Sequence, residues 1–196
     1  HSFIQSCLCD EKGFIKAEFL LFDKDNLEIL IDESSVNILF EELNKFIKFY
    51  GLEMGISSRN LSYRFFTESY DLEHIFSKSS LFCDIGFIEN NHERLLTKEE
   101  FELNILIMGQ FLFTSQDSGK YRPHDLGMNK SHVSFLKGCF RGQEVIARTE
   151  HLSKKKKKIM PIKFEDESSI SSKKIKTLKE ISLNDNIFKL ISFVPN

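Results

Sequence analysis

The sequence predicts an α+β protein, with antiparallel strands and helices packed on one side, followed by a smaller β-rich part. Three observations carry that expectation. Residues 15–21 alternate, with Ile15, Ala17, Phe19 and Leu21 on one face and Lys16 and Glu18 on the other, the pattern of a half-buried strand. Between Ser35 and Tyr50 the apolar residues Val36, Leu39, Phe40, Leu43, Ile47 and Tyr50 recur at helical spacing instead. Beyond Lys154 the chain turns to short β-rich runs, 159–164 and 187–194, separated by the serine-rich stretch 168–172. Consecutive strands followed by a helix and a further strand build an antiparallel sheet with its helices on one side.

Taken in order, residues 3–9 read as the first strand and Asp10-Glu11-Lys12-Gly13 as a turn. After the second strand, Asp23-Lys24-Asp25-Asn26 turns the chain into a third carrying Leu27, Ile29 and Ile31. The helix of about 35–50 ends at Gly51, a suitable residue just past a helix end, and Leu61 to Phe66 reads as another strand. From Leu72 to Phe87 the chain is apolar but irregular, and no period assigns it. Thr97-Lys98-Glu99-Glu100 is a capping box, opening a helix with Phe101, Ile105 and Met108 that stops at Gly109. Residues 114–132 form a polar loop with Gly119, Pro123 and Gly127, and loops of that length are more often functional than idle. The expected organisation is a body of 1–153 and a small, partial β-barrel-like domain of 154–196.

Composition bounds the function. A chain of 196 residues, 41% hydrophobic and 29% charged, is ordinary for a soluble globular protein with a real core. No apolar run approaches the ~20 residues that span a bilayer, which excludes a membrane helix. Four cysteines without a dense framework point to a reducing compartment, the cytoplasm. The net charge of −2 hides an asymmetry: Lys120–Lys163 holds 12 Lys and Arg against 3 Asp and Glu, or +9. Such a basic segment in an otherwise acidic chain fits a local anionic partner better than a general affinity for nucleic acid.

Chemistry concentrates in Lys137-Gly138-Cys139-Phe140-Arg141-Gly142-Gln143-Glu144. Gly138 and Gly142 free the backbone for tight turns or close approach, and after Gly142 the sequence becomes helical. Glu144 and Arg148 sit i,i+4 with the acid first, the better orientation for a helical ion pair. Cys139 stands just before that helix start between Lys137 and Arg141, a setting that favours the thiolate. Taken alone, Cys139 reads equally well as a small buried residue, and its neighbours tip the balance toward function. Cys7 and Cys9 share one face of a strand, but a metal site needs about four ligands and no second pair is spaced to match, so both are read as structural. No metal site is expected. Lys154–Lys158 reads as a solvated charge run leading into an edge strand rather than an RNA grip. His124, His132 and His151 lie near the octet and read as ordinary surface residues.

This octet resembles the signature of the YgfZ family, folate-binding relatives of the glycine-cleavage T-protein (aminomethyltransferase), which reads K-G-C-aromatic-x-G-Q-E. The flanks Val133-Ser134-Phe135 and Val145-Ile146-Ala147-Arg148 agree, as does Pro123-x-Asp125-Leu126 ahead of it. The resemblance implies a T-protein-like folate-binding fold, here starting inside a strand where relatives carry a further strand and helix. It implies tetrahydrofolate or another reduced folate as cofactor, and iron–sulfur client enzymes, including those that methylthiolate tRNA, as partners. Cys139 would be the essential residue, with Lys137, Gly138, Phe140, Gly142, Gln143, Glu144 and Arg148 shaping its loop. The cytoplasm, or the mitochondrial matrix in a eukaryote, is the implied compartment. A folate-dependent one-carbon transferase of the T-protein type is the alternative, but those enzymes lack the cysteine signature. A third option, an RNA-binding module using Lys154–Lys158, predicts a steep salt dependence that neither of the others needs. Ile105 falls where relatives carry an arginine, and Phe111 where they carry a proline.

Overall fold

The computed structural model describes residues 3–23, 27–57, 61–67, 81–87, 96–153, 157–169 and 174–195. The turn expected at Asp23–Asn26, most of Lys154–Lys158 and the serine-rich stretch lie largely outside the described residues. The chain divides into two compact units, one of 1–55 with 113–157 and one of 56–112 with 158–196. The C-terminal strands share their unit with residues 56–112. Three antiparallel sheets and three helices among the described residues make this a mixed α and β protein.

In the first unit, β1 (Phe3–Cys9), β2 (Ile15–Asp23) and β3 (Leu27–Ile31) form one antiparallel sheet in that order. The alternation of β2 holds at its start, where Ile15 and Ala17 are fully buried, but Phe19 and Leu21 are half-buried, as Lys16 and Glu18 are. Asp10 closes the β1–β2 turn: its Oδ1 accepts from the backbone N–H groups of Lys12 and Phe14, both at 2.9 Å. A bulge at Leu8/Cys9 shifts the register, so Cys7 pairs with Glu18, Leu8 with Ala17 and Cys9 with Ile15. A 3-10 turn at Glu33–Ser35, capped by Asp32, leads into α1 (Val36–Phe49). Leu39 is its buried anchor, whereas Tyr50, at its C-cap, is exposed.

The segment expected as a polar loop is a packed structure. Two 3-10 turns, Ser115–Asp117 and Pro123–Asp125, are closed by Asp117 and Asp125, which accept from the N–H groups of Thr114 and Arg122 at 3.1 and 3.0 Å. Phe113, Pro123, Leu126 and Met128 are buried beneath them. The loop is tied to β2 by Ile15 N–H donating to the Tyr121 carbonyl at 2.8 Å and Gly119 N–H donating to the Ile15 carbonyl at 2.7 Å. Its buried residues follow neither a helical nor a strand period, so no pattern in the sequence flags them.

In the second unit, β4 (Leu61–Thr67) pairs antiparallel with β5 (Leu81–Phe87), which lies inside the stretch that no period assigned. The capping box opens α2 (Lys98–Ile107) as expected: Thr97 N–H donates to Glu100 Oε2 at 2.9 Å, and Glu100 N–H to Thr97 Oγ1 at 3.2 Å. Its core face is Leu103, Leu106 and Ile107, while Phe101, Ile105 and Met108 are half-buried. Apolar and polar residues both spread around this helix, so periodicity does not single out the packed side. β6 (Lys158–Lys163), β7 (Ile175–Leu183) and β8 (Asn186–Phe193) form a three-stranded sheet in the order β6-β8-β7. Ile162, Ile181, Phe188, Leu190 and Ile191 build its core. Asn184 and Asp185, both with positive φ, make the two-residue turn between β7 and β8. The sequence reading missed β7, because a bulge between Thr177 and Lys179 breaks its alternation. Among the described residues, no helix is long and apolar enough to cross a membrane.

Candidate functional site

Gly142 is the pivot of the octet. Its φ of 78° is left-handed, and it is the N-cap of α3 (Gln143–Leu152), so the helix begins where the sequence placed it. A Cβ at this position would stand 2.5 Å from the Asp10 carbonyl oxygen, 2.7 Å from Gly13 Cα and 2.9 Å from Gly13 N. Only glycine lets the loop press this closely on the β1–β2 turn. Ile146, with 0% exposure, anchors α3, and a Cβ on Gly13 would meet its side chain at 3.1 Å.

Arg141 makes the second tie. Its Nε donates to the Cys9 carbonyl at 2.9 Å, and Nη1 and Nη2 both donate to Glu42 Oε2 at 3.0 Å. Glu11 lies 3.5 Å from the same guanidinium. The planar fork thus joins the octet to β1 and α1, and Glu42 balances its charge. In the structure Arg141 braces the loop. Gln143 makes the third tie, accepting from Phe140 N–H at 3.2 Å through Oε1 while its own N–H donates to the Phe140 carbonyl at 3.1 Å. Glu144 and Arg148 form the expected i,i+4 pair at 2.9 Å, on an exposed face where it adds only a few tenths of a kcal/mol.

Forward of these ties the chain is open to solvent. Leu136 is 100% exposed, and Lys137, Gly138 and Cys139 are exposed with it. Lys137 Nζ lies 4.9 Å from the centre of the Phe140 ring, a cation–π contact. The result is an accessible thiol on a loop held from behind, suited to thiol chemistry with a partner arriving from solvent.

Two histidines depart from the surface reading. The His132 side chain is fully buried, with Nε2 at 2.8 Å from Glu18 Oε1 and Nδ1 at 2.8 Å from Ser131 Oγ. His124 Nε2 lies 2.9 Å from Glu150 Oε2, which also accepts from Asn129 Nδ2 at 2.8 Å. Their acidic partners are far away in sequence, so only the fold reveals the pairing. His151, at the end of α3, is exposed and meets the Phe135 ring edge-on at 5.6 Å.

The C-x-C pair is closer than a shared face requires, with the Cys7 and Cys9 sulfurs 3.9 Å apart. The hydrogen bond to Cys9 and burial push the Cys7 thiol up. The same hydrogen bond, received from Cys7, moves Cys9 down against its burial, with Lys137 and Arg141 adding to the effect. In the loop, burial raises the Tyr121 phenol, and Asp117 and Asp125 add to it. Among the described residues, no three His, Cys, Asp or Glu side chains could hold a metal ion. A cavity of about 90 Å³ in the second unit, lined by Lys163, Phe164, Asp185 and Asn186, falls well below the roughly 300–1,000 Å³ of a small-molecule site.

Nothing in the sequence announces Gly13, Glu42 and the Cys9 carbonyl as the counterparts of the octet, nor the separate Glu18–His132 pair. Gly13 carries a partial signal, since a glycine ending an acidic turn marks a backbone that something can approach. No known family model matches this chain, and no curated protein matches it.

Proposed function

We propose that this protein is a folate-binding accessory factor that supports iron–sulfur enzymes, including those that methylthiolate tRNA, with Cys139 as its working thiol. The observation that supports this reading best is how the octet is built. Gly142, Arg141 and Gln143 brace the loop from behind, and Cys139 is left exposed. A cysteine kept only for packing would be buried, and Cys139 is exposed.

A reduced folate fits the residues present in two respects. Its glutamate tail is anionic, and Lys120, Lys130 and Lys137 are exposed within the +9 segment. Its ring end needs apolar cover, and the wholly exposed Leu136 and the Phe140 ring stand three residues before and one residue after Cys139 in the chain. With Ile105 at the position where relatives of the resembling family carry arginine, the affinity is set at micromolar or weaker, about −8 kcal/mol or less favourable. The reducing compartment that the cysteines imply, the cytoplasm or the mitochondrial matrix, keeps the thiol available.

Complementation tests the function. In cells lacking their own member of the resembling family, the wild-type chain restores tRNA methylthiolation, and Cys139→Ala at equal abundance does not. Equal rescue by both would remove Cys139 from the function, and rescue by neither, with the protein folded, would remove the function itself.

A further inference from the structure

We propose that Cys7 and Cys9 form a second thiol site, a dithiol pair that exchanges with low-molecular-weight disulfides. It goes beyond the Cys139 reading and stands on different residues. Both side chains project from one face of β1, an edge strand of its sheet, with their sulfurs 3.9 Å apart. A strand alone puts residues i and i+2 on one face, but it does not bring two sulfurs into contact.

The surroundings are charged and differ for the two thiols. Glu18, held by His132, is the cross-strand partner of Cys7 on β2, and Asp10 follows Cys9 in the turn. From the octet loop, Lys137 acts electrostatically on both thiols and Arg141 on Cys9, whose carbonyl Arg141 also grips at 2.9 Å. Cys7 is half-buried and gives the pair its access, while Cys9 is buried. Cys7 is therefore the sulfur that an incoming disulfide reaches, and the buried Cys9, 3.9 Å away, is placed to resolve the mixed disulfide.

The exchange has two steps. Cys7 loses its proton to solvent and attacks one sulfur of a disulfide such as oxidised glutathione, forming a mixed disulfide and releasing one glutathione thiolate. Cys9 then loses its proton and attacks the Cys7 sulfur, forming the Cys7–Cys9 bond and releasing the second glutathione thiolate. The pair loses two electrons and the glutathione disulfide gains them. The sulfurs must close from 3.9 Å to about 2.05 Å, and the two-residue link on an extended strand leaves a strained bond that thiols reverse readily.

The test is exposure of the folded full chain to excess oxidised glutathione, followed by acid quench and mass mapping of the peptide that carries both cysteines. The expected product in the wild type is that peptide lighter by two hydrogens, with no glutathione attached. In Cys9→Ser the same peptide carries one glutathione, on Cys7. If the wild-type peptide keeps both free thiols after Cys139 is fully glutathionylated, or carries glutathione without closing, the proposal is overturned. The wild-type mass decides the question even if the Cys9 variant does not fold.

Discussion

Gly142 and Gly13, from opposite ends of the first unit's sequence, meet backbone to backbone: a Cβ on Gly142 would lie 2.7 Å from the Gly13 Cα. This contact places the octet, because the α3 N-cap and the β1–β2 turn share a space that admits no side chain. Gly142→Ala adds a left-handed penalty to a backbone clash, so a loss of about 2–4 kcal/mol is expected. By thermal unfolding that corresponds to a fall of roughly 5–15 °C for a chain of this size. An unchanged midpoint would mean that the loop does not pack as described.

Arg141 and Glu42 give a second measurable tie. Removing either leaves a charged group short of its hydrogen bonds, at a cost of about 1.5–3 kcal/mol. A double-mutant cycle with Arg141→Ala and Glu42→Ala is expected to show coupling of about 1 kcal/mol or more. Arg141→Lys would not restore it, since an ammonium cannot grip the Cys9 carbonyl and the Glu42 carboxylate with one planar fork. Additive single effects would contradict the bracing role.

Much of this was legible in the sequence, and the failures have physical causes. β2 and the Thr97 capping box could be read because alternation and capping are local codes. The helix start after Gly142 and the Glu144–Arg148 pair could be read for the same reason. What could not be read is what residues distant in sequence do for each other. His132 read as a surface residue because nothing near it announces Glu18, and Arg141 read as a neighbour of Cys139 because Glu42 lies on another helix. β7 escaped because its bulge moves the pattern to the other face midway. The octet stood out in the sequence, and the side of it that packs did not.

Thiol access ranks the cysteines. Cys139 is exposed, Cys7 half-buried and Cys9 buried, so Cys139 is expected to react first with iodoacetamide at neutral pH, by at least about tenfold over Cys7 and Cys9. Time-resolved peptide mapping measures this directly. Faster labelling of Cys7 or Cys9 would contradict the exposed-thiol reading.

Tyr121 sets an alkaline limit. Burial, with Asp117 and Asp125 nearby, raises its phenol in the fold, so the folded state holds the proton more tightly than the unfolded chain. Its contribution to stability is therefore complete below the unfolded pKa of about 10 and is lost as pH rises through the folded value. Tyr121→Phe is expected to flatten the fall of the melting temperature above that pH while leaving neutral stability nearly unchanged. The tie to Ile15 survives in this variant because it uses the Tyr121 backbone carbonyl. The same alkaline slope in the variant would assign the limit to another group.

Folate binding is the central claim, and titration calorimetry of the folded chain with mono- and polyglutamyl tetrahydrofolate at two salt concentrations tests it most directly. The account predicts micromolar or weaker binding, tighter with the longer tail and weaker in high salt, as anionic carboxylates meeting the +9 segment require. Heat of binding that is absent for both forms at both salt concentrations would contradict it.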